Sequence, residues 1–212
     1  MNQDFWHNAW AKTDRPGWQL ESPNELLLSH WASDQSHVFV PLCGRSPDLA
    51  WLHDQGHYVI GVELSENAVA RFFEEREIDY TTTDTDRFRR YAADRYEIYT
   101  GDFFALGTEE LAGVTRVYDR AAMVAMPTDL RPSYIAHLQR IVPVESEWLV
   151  ILLEYDQSLM NGPPFAVPEH ELTQAFAPTH DISLVGQIEG DFKRRGVETV
   201  LEKAYRLHCK KA

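Results

Sequence analysis

The chain has 212 residues, a length at which one domain is the prior expectation. An apolar content of 44% and a charged content of 25% are those of a globular protein and exclude a disordered one. With 20 Lys and Arg against 33 Asp and Glu, the net charge is −13, a field that repels nucleic acid and anionic membrane alike.

In chain order, Trp6 and Trp10 come first, at i and i+4. That helical spacing serves core packing or a lid over a bound molecule equally well. Residues 38–40, 58–62 and 148–153 read as buried strands, being short, apolar and β-branched. Between the first two, Ser46-Pro47-Asp48 opens a helix: Ser46 caps it, Pro47 suits the first helical position and Asp48 complements the dipole. Gly56 ends that helix in the manner of a left-handed cap. Strand, helix and strand within about 25 residues make a βαβ unit with parallel pairing. Residues 65–76 form a second helix, with Ala68, Val69, Phe72 and Phe73 on one face. Residues 79–95 are a polar excursion, hairpin or loop, and residues 96–99 a third strand ending at Gly101-Asp102. Residues 114–118 make a fourth strand, which runs out at Asp119-Arg120. A helix over 127–141 carries Tyr134, Leu138 and Ile141 as its apolar stripe.

The strand at 148–153 ends at Glu154-Tyr155-Asp156, and the Gly/Pro-rich loop 161–165 after it is long enough to cover a site. Residues 182–188 and 199–208 then alternate as two strands with no helix-length separator, which predicts an antiparallel hairpin. The expected fold is one α/β domain over residues 1–212, a mostly parallel doubly wound sheet closed by that C-terminal antiparallel hairpin. No apolar run approaches the ~18 residues of a membrane span. The opening residues lack a basic region followed by an apolar one, and Cys43 and Cys209 make no disulfide framework or Cys-x-x-Cys site. A cytoplasmic protein is expected, with no nucleic-acid, membrane or metal partner. It is expected to be monomeric, since no surplus amphipathic helix asks for a second chain.

Ligands of open α/β sheets bind at the carboxyl ends of the strands, so the residues at those ends matter most. After the first strand comes the tight turn Pro41-Leu42-Cys43-Gly44-Arg45-Ser46, and Glu63 lies 19 residues past Gly44. An acid at about that distance is the usual acceptor for ribose hydroxyls, the plainer alternative being a solvated strand-end carboxylate. Asp102 suits an adenine amino group while Phe103 offers a backbone amide, although a helix cap reads equally well. The first turn has a single glycine, and Leu42 and Arg45 oppose the close approach of a pyrophosphate. A nucleoside cofactor without phosphates suits it better. By analogy of fold, that cofactor is S-adenosyl-L-methionine, whose methyltransferases carry such a terminal hairpin.

Several runs together resemble the thiopurine S-methyltransferase family, its bacterial members most closely. They are Phe5-Trp6-x-x-x-Trp10, Val38-Phe39-Val40-Pro41-Leu42-Cys43-Gly44-Arg45-Ser46, Gly61-Val62-Glu63-Leu64-Ser65 and Gly101-Asp102-Phe103-Phe104. Tyr118-Asp119-Arg120-Ala121-Ala122, Glu154-Tyr155-Asp156-Gln157 and Gly162-Pro163-Pro164-Phe165 continue the match, in order, to about residue 205. The resemblance implies a class I methyltransferase fold with S-adenosylmethionine as cofactor and a lid made by residues 1–30. It implies cofactor contacts from Trp10, Leu42, Glu63 and Arg120, with Asp102 and Phe103 on the adenine side. Trp18, after Arg15-Pro16-Gly17, falls where the family has a smaller aromatic packed on the acceptor ring, and its indole narrows that pocket. The family also places an Arg near the acceptor late in the chain, and Lys193, Arg194 and Arg195 all stand in that region.

Methyl transfer to sulfur is an in-line displacement governed by alignment and exclusion of water. Arg120 is expected to fix the cofactor and favour an anionic sulfur, Trp10 and Trp18 to close the site, and Asp119 to serve as a water-mediated base. The expected acceptor is a thiopurine or another small thiol. Reduced selenium or tellurium species, halide and thiocyanate are compatible with the same displacement. Two other classes compete. A nicotinamide-dependent oxidoreductase shares the turn and the acid but needs the missing glycines. A cofactor-binding protein that has lost catalysis would fill the acceptor pocket, for instance with Trp18. Cys43 reads as a small buried hydrophobe and His53 and His57 as exposed capping residues.

Overall fold

The computed structural model describes residues 3–12 and 18–211. The strands are β1 (His37–Pro41), β2 (Tyr58–Glu63), β3 (Thr81–Asp84), β4 (Arg89–Ala93), β5 (Tyr96–Thr100), β6 (Arg116–Arg120), β7 (Glu147–Glu154), β8 (His180–Phe192) and β9 (Val197–Cys209). The α-helices are α1 (Gln3–Lys12), α2 (Glu25–His30), α3 (Pro47–Asp54), α4 (Glu66–Glu74), α5 (Arg131–Ile141) and α6 (Glu169–Phe176). All nine strands join one sheet in the order β3-β4-β5-β2-β1-β6-β7-β9-β8. The five central strands run parallel, and β9 and β8 close one side antiparallel. The α/β class and the terminal hairpin are as the sequence predicts. No helix among the described residues is long and apolar enough to cross a membrane.

Local chemistry accounts for the elements that hold the site. Ser46 Oγ accepts the backbone N–H of Asp48 at 3.2 Å, Pro47 opens α3, and Gly56 takes φ +92° just beyond its end. Ser65 Oγ caps α4 at Ala68 N–H, and Ala68, Val69, Phe72 and Phe73 are all buried. Burying a side chain the size of Phe72 contributes roughly 2–3 kcal/mol. Alternation along β1 splits the core, with Val38 and Val40 packing towards Leu49, Leu52, Phe72 and Phe73 on one face. Phe39 points to the opposite face, where Leu138 and Ile141 of α5 and Phe176 of α6 cover the sheet.

The polar excursion at 79–95 is an antiparallel hairpin, β3 and β4, added to β5. Its edge strand Thr81–Asp84 is exposed throughout, so it carries no hydrophobic alternation to announce it. The fourth strand starts at Arg116, because Val114 closes the preceding turn through its N–H to Leu111 O. Helix α5 begins at Arg131, later than the apolar stripe suggests. Pro132 is tolerated only in a first helical turn, and Pro127 instead accepts the N–H groups of Leu130 and Arg131. Helices α2 and α6 escape the sequence reading because six and eight residues hold too few turns to establish a period.

His53 and His57 are not exposed caps. The His53 ring stacks on Tyr96 at 4.4 Å and pairs with Asp94. His57 is fully buried, its Nε2 accepting the Trp31 indole N–H at 2.9 Å.

Candidate active site

Strand order reverses at β1, which has β2 on one side and β6 on the other. A crevice opens there at the carboxyl ends of the strands, as it does at the switch point of any open α/β sheet. Two residues in left-handed backbone mark it, Leu42 (φ +47°) after β1 and Ala121 (φ +64°) after β6. For non-glycine residues such conformations cost about 1–3 kcal/mol each and collect at functional sites. Both line the cavity that fills the crevice, about 880 Å³ counting its open mouth. Gly44, at φ +54°, completes the turn. A Cβ there would meet the Trp10 indole at 2.9 Å, so only glycine lets the lid lie this close.

Glu63, at the end of β2, is 6% exposed. Its Oε2 accepts Gly44 N–H at 2.9 Å and its Oε1 accepts Ser65 N–H at 2.8 Å. Burial pushes its carboxyl up, while these N–H groups and that of Leu64 pull it back. The acceptor capacity that remains on this carboxylate suits a ribose hydroxyl. Trp10 roofs the turn from α1, held by Asn67 Nδ2 donating to its carbonyl at 3.2 Å. Trp18 meets Trp10 and Trp6 edge to face, with centroids 5.9 and 5.1 Å apart. Residues Arg15-Pro16-Gly17 of the predicted lid lie outside the described residues.

Arg120 ends β6 on the cavity wall and donates from Nη1 to Trp18 O at 3.3 Å. Pro163 and Pro164 border the cavity from the loop after β7. Cys43 is buried, and burial and nearby Glu63 push its thiol well up, which keeps it inert.

Three expected site residues are placed elsewhere. Asp119 is 0% exposed and faces α5, away from the cavity. Its Oδ1 accepts Met123 N–H at 3.0 Å and its Oδ2 the Tyr134 hydroxyl at 2.8 Å. Burial raises its carboxyl to about 6. A carboxylate sealed in this way holds the turn after β6, which corrects its reading as a water-mediated base. Asp102 accepts Phe104 N–H at 3.0 Å and caps the 3-10 turn Phe103–Ala105, while the Phe103 ring packs on Tyr134 and His137. Neither lines the cavity. They follow Gly101, whose N–H donates to Glu63 O at 2.9 Å, so their turn stands beside Glu63. A shallower groove past His7, Ala11, Thr100 and Gly101 shares Leu64 with the cavity.

Of the late basic residues, Arg195 donates to Pro163 O and Asn161 O, both at 2.8 Å. It holds the proline loop with both of these donors. Lys193 is exposed, and the side chain of Arg194 lies outside the described residues. Sequence reasoning missed Asp48, Tyr118 and Glu202. The Tyr118 hydroxyl donates to Asp48 Oδ2 at 3.0 Å, and both residues line the cavity. Ser46-Pro47-Asp48 reads as a helix start, with no local signal that Asp48 is 1% exposed.

The donor set suits S-adenosylmethionine. A buried carboxylate faces the glycine turn, and the walls are mostly apolar. A profile of thiopurine S-methyltransferases matches residues 1–210. The chain belongs to the thiopurine S-methyltransferase family. A thiopurine S-methyltransferase of Azotobacter vinelandii is 41% identical over 216 aligned residues, covering 98% of this chain and 99% of that protein. A probable thiopurine S-methyltransferase of Yarrowia lipolytica is 38% identical over 98% of this chain and 100% of its own. Among solved structures, a SAM-dependent methyltransferase from Anabaena variabilis superposes with a TM-score of 0.67 at 13% identity, covering 98% of this chain and 95% of that one. The N-methyltransferase NodS of Bradyrhizobium japonicum, in complex with S-adenosyl-L-homocysteine, gives 0.64 at 11% identity, over 96% and 97% of the two chains. At such identities these likenesses speak for the fold alone. As a member of the family, the protein is an S-adenosylmethionine-dependent methyltransferase.

Proposed function

We propose that the protein transfers the methyl group of S-adenosylmethionine to the sulfur of a thiopurine or other small thiol, as a monomer in which residues 1–30 close over one methyltransferase domain. The observation that carries this reading is the cavity at the switch point, lined by Glu63 and Arg120 and walled by Trp6, Trp10 and Trp18. When bound, S-adenosylmethionine supplies a sulfonium methyl group open to in-line displacement.

Glu63 receives the ribose hydroxyls, Leu42 and Trp10 enclose the cofactor, and Asp102 and Phe103 mark the adenine side. Arg120 fixes the cofactor and draws an anionic sulfur towards the methyl group, while Trp18 packs on the acceptor. The tryptophans exclude water, and alignment supplies much of the acceleration. An acceptor that arrives as thiolate has already lost its proton to solvent, so the site needs no general base.

Titration calorimetry with S-adenosylhomocysteine, followed by a panel of thiols, thiopurines and selenite, tests the reading. Binding with methylation of a sulfur acceptor is expected. No binding by the folded protein overturns the cofactor assignment, and binding without turnover on any acceptor favours a protein that has lost catalysis.

A further inference from the structure

The C-terminal hairpin brings a carboxylate to the active-site arginine. Arg120 ends β6 beside Ile151 of β7, and Glu202 of β9 pairs with Leu153, two residues further along β7. Because β9 runs antiparallel, its early residues stand at the carboxyl ends of the parallel strands. The Arg120 guanidinium reaches across β7, and its Nε lies 3.9 Å from Glu202 Oε1. Both side chains are mostly covered, at 15% and 19% exposure, so solvent screens the pair only partly.

Asn24 holds the carboxylate in place. It is 4% exposed, and its Oδ1 accepts the N–H groups of Leu26 and Leu27, which caps α2. Its Nδ2 donates to Glu202 Oε1 at 3.2 Å, and its backbone N–H donates to Asp48 Oδ1 at 2.8 Å. One rigid residue therefore ties both acids near the cavity wall. The charged and titratable groups around Glu202 are Arg120 and Tyr118 of β6, Asp48 of α3 and Glu25 of α2.

We propose that Glu202 is a positioning residue for methyl transfer, holding the Arg120 guanidinium at the cavity wall and moderating the charge it presents to the acceptor sulfur. The proposal rests on the reading of Arg120 given above. A fixed counter-ion keeps the guanidinium from swinging into solvent. Partial neutralisation also sets how strongly the site favours a thiolate over a thiol.

The test is steady-state kinetics against pH with one thiol acceptor, together with cofactor-product binding by calorimetry. In Glu202→Gln the bond from Asn24 survives and the charge is lost. The acid limb of kcat is then expected to move to lower pH by about half a unit, because an uncompensated guanidinium stabilises the thiolate more. Glu202→Asp restores the charge and brings the limb back towards the wild type. In an Arg120→Ala background, Glu202→Gln is expected to change neither kcat nor KM further. An unmoved limb in Glu202→Gln beside an impaired Arg120→Ala overturns this proposal alone. So do additive effects in the double variant. Wild-type kinetics in Arg120→Ala overturns the reading of Arg120 itself.

Discussion

Glu63 meets two demands at once. Its carboxylate ties the glycine turn to the start of α4 through Gly44 and Ser65 N–H groups, and the residue lines the cavity. A glutamine in its place turns an NH2 group towards one of those N–H donors and leaves that donor unpaired in a buried site, at a cost of about 1–3 kcal/mol. Glu63→Gln is expected to weaken S-adenosylhomocysteine binding at least about tenfold, the loss of a hydrogen bond to a charged acceptor. Calorimetry at matched pH checks this, and an unchanged affinity removes the ribose assignment. Glu63 is legible in sequence because its distance past Gly44 is a chain property. Asp119 misleads for an equally simple reason: neighbours on a strand face opposite ways. Tyr118 turns to the cavity and Asp119 to α5, and no motif says which face holds the ligand.

Among the elements, the proline loop and the C-terminal hairpin depend on each other. Arg195, at the turn between β8 and β9, grips the carbonyls of Asn161 and Pro163, and Tyr155 donates its hydroxyl to Pro164 O at 2.6 Å. Arg195→Ala releases one side of the loop that borders the cavity. Acceptor KM is expected to rise about fivefold, the order given by ~1 kcal/mol of lost hydrogen bonding, with cofactor-product affinity unchanged. A parallel loss of cofactor affinity counts against the loop having this local role. The parallel strands were legible because runs such as Trp148 to Leu153 are short, apolar and β-branched. The β3–β4 hairpin could be read only as hairpin or loop and the late start of α5 not at all, since an exposed edge strand has no apolar face and Pro132 outweighs the stripe behind it.

At the scale of the whole molecule, buried titratable groups outside the site set how stability varies with pH. The Trp31 indole N–H donates to His57 Nε2 at 2.9 Å and the Ser36 backbone N–H to its Nδ1 at 3.2 Å, and a cationic ring, protonated on both nitrogens, can accept neither. Burial and nearby Arg116 lower His57 from its usual 6.5, and burial lowers His137 and His180 as well. At these three histidines the unfolded chain binds more protons than the folded one as pH drops below about 6.5, so their contribution to stability is lost as pH falls. Asp119 acts in the opposite sense, since its folded value of about 6 exceeds 3.8. Its contribution is complete below pH 3.8 and fades as pH rises through about 6. Denaturation midpoints measured from pH 7 to 5 are expected to fall less steeply in His57→Gln than in the wild type. Equal slopes would assign the acid loss to other groups.

The sequence by itself determined the α/β class, the turn after β1, the distance to Glu63 and the family. These are properties of neighbours along the chain, where periodicity, capping and spacing act. Only the tertiary structure decided that Asp119 is sealed against α5, that Arg195 serves the proline loop, and that Asn24 bonds to Glu202 beside Arg120. Asn24 and Glu202 are 178 residues apart and meet at one hydrogen bond. Such a contact follows from the sheet order and the antiparallel turn of β9, which no local pattern encodes.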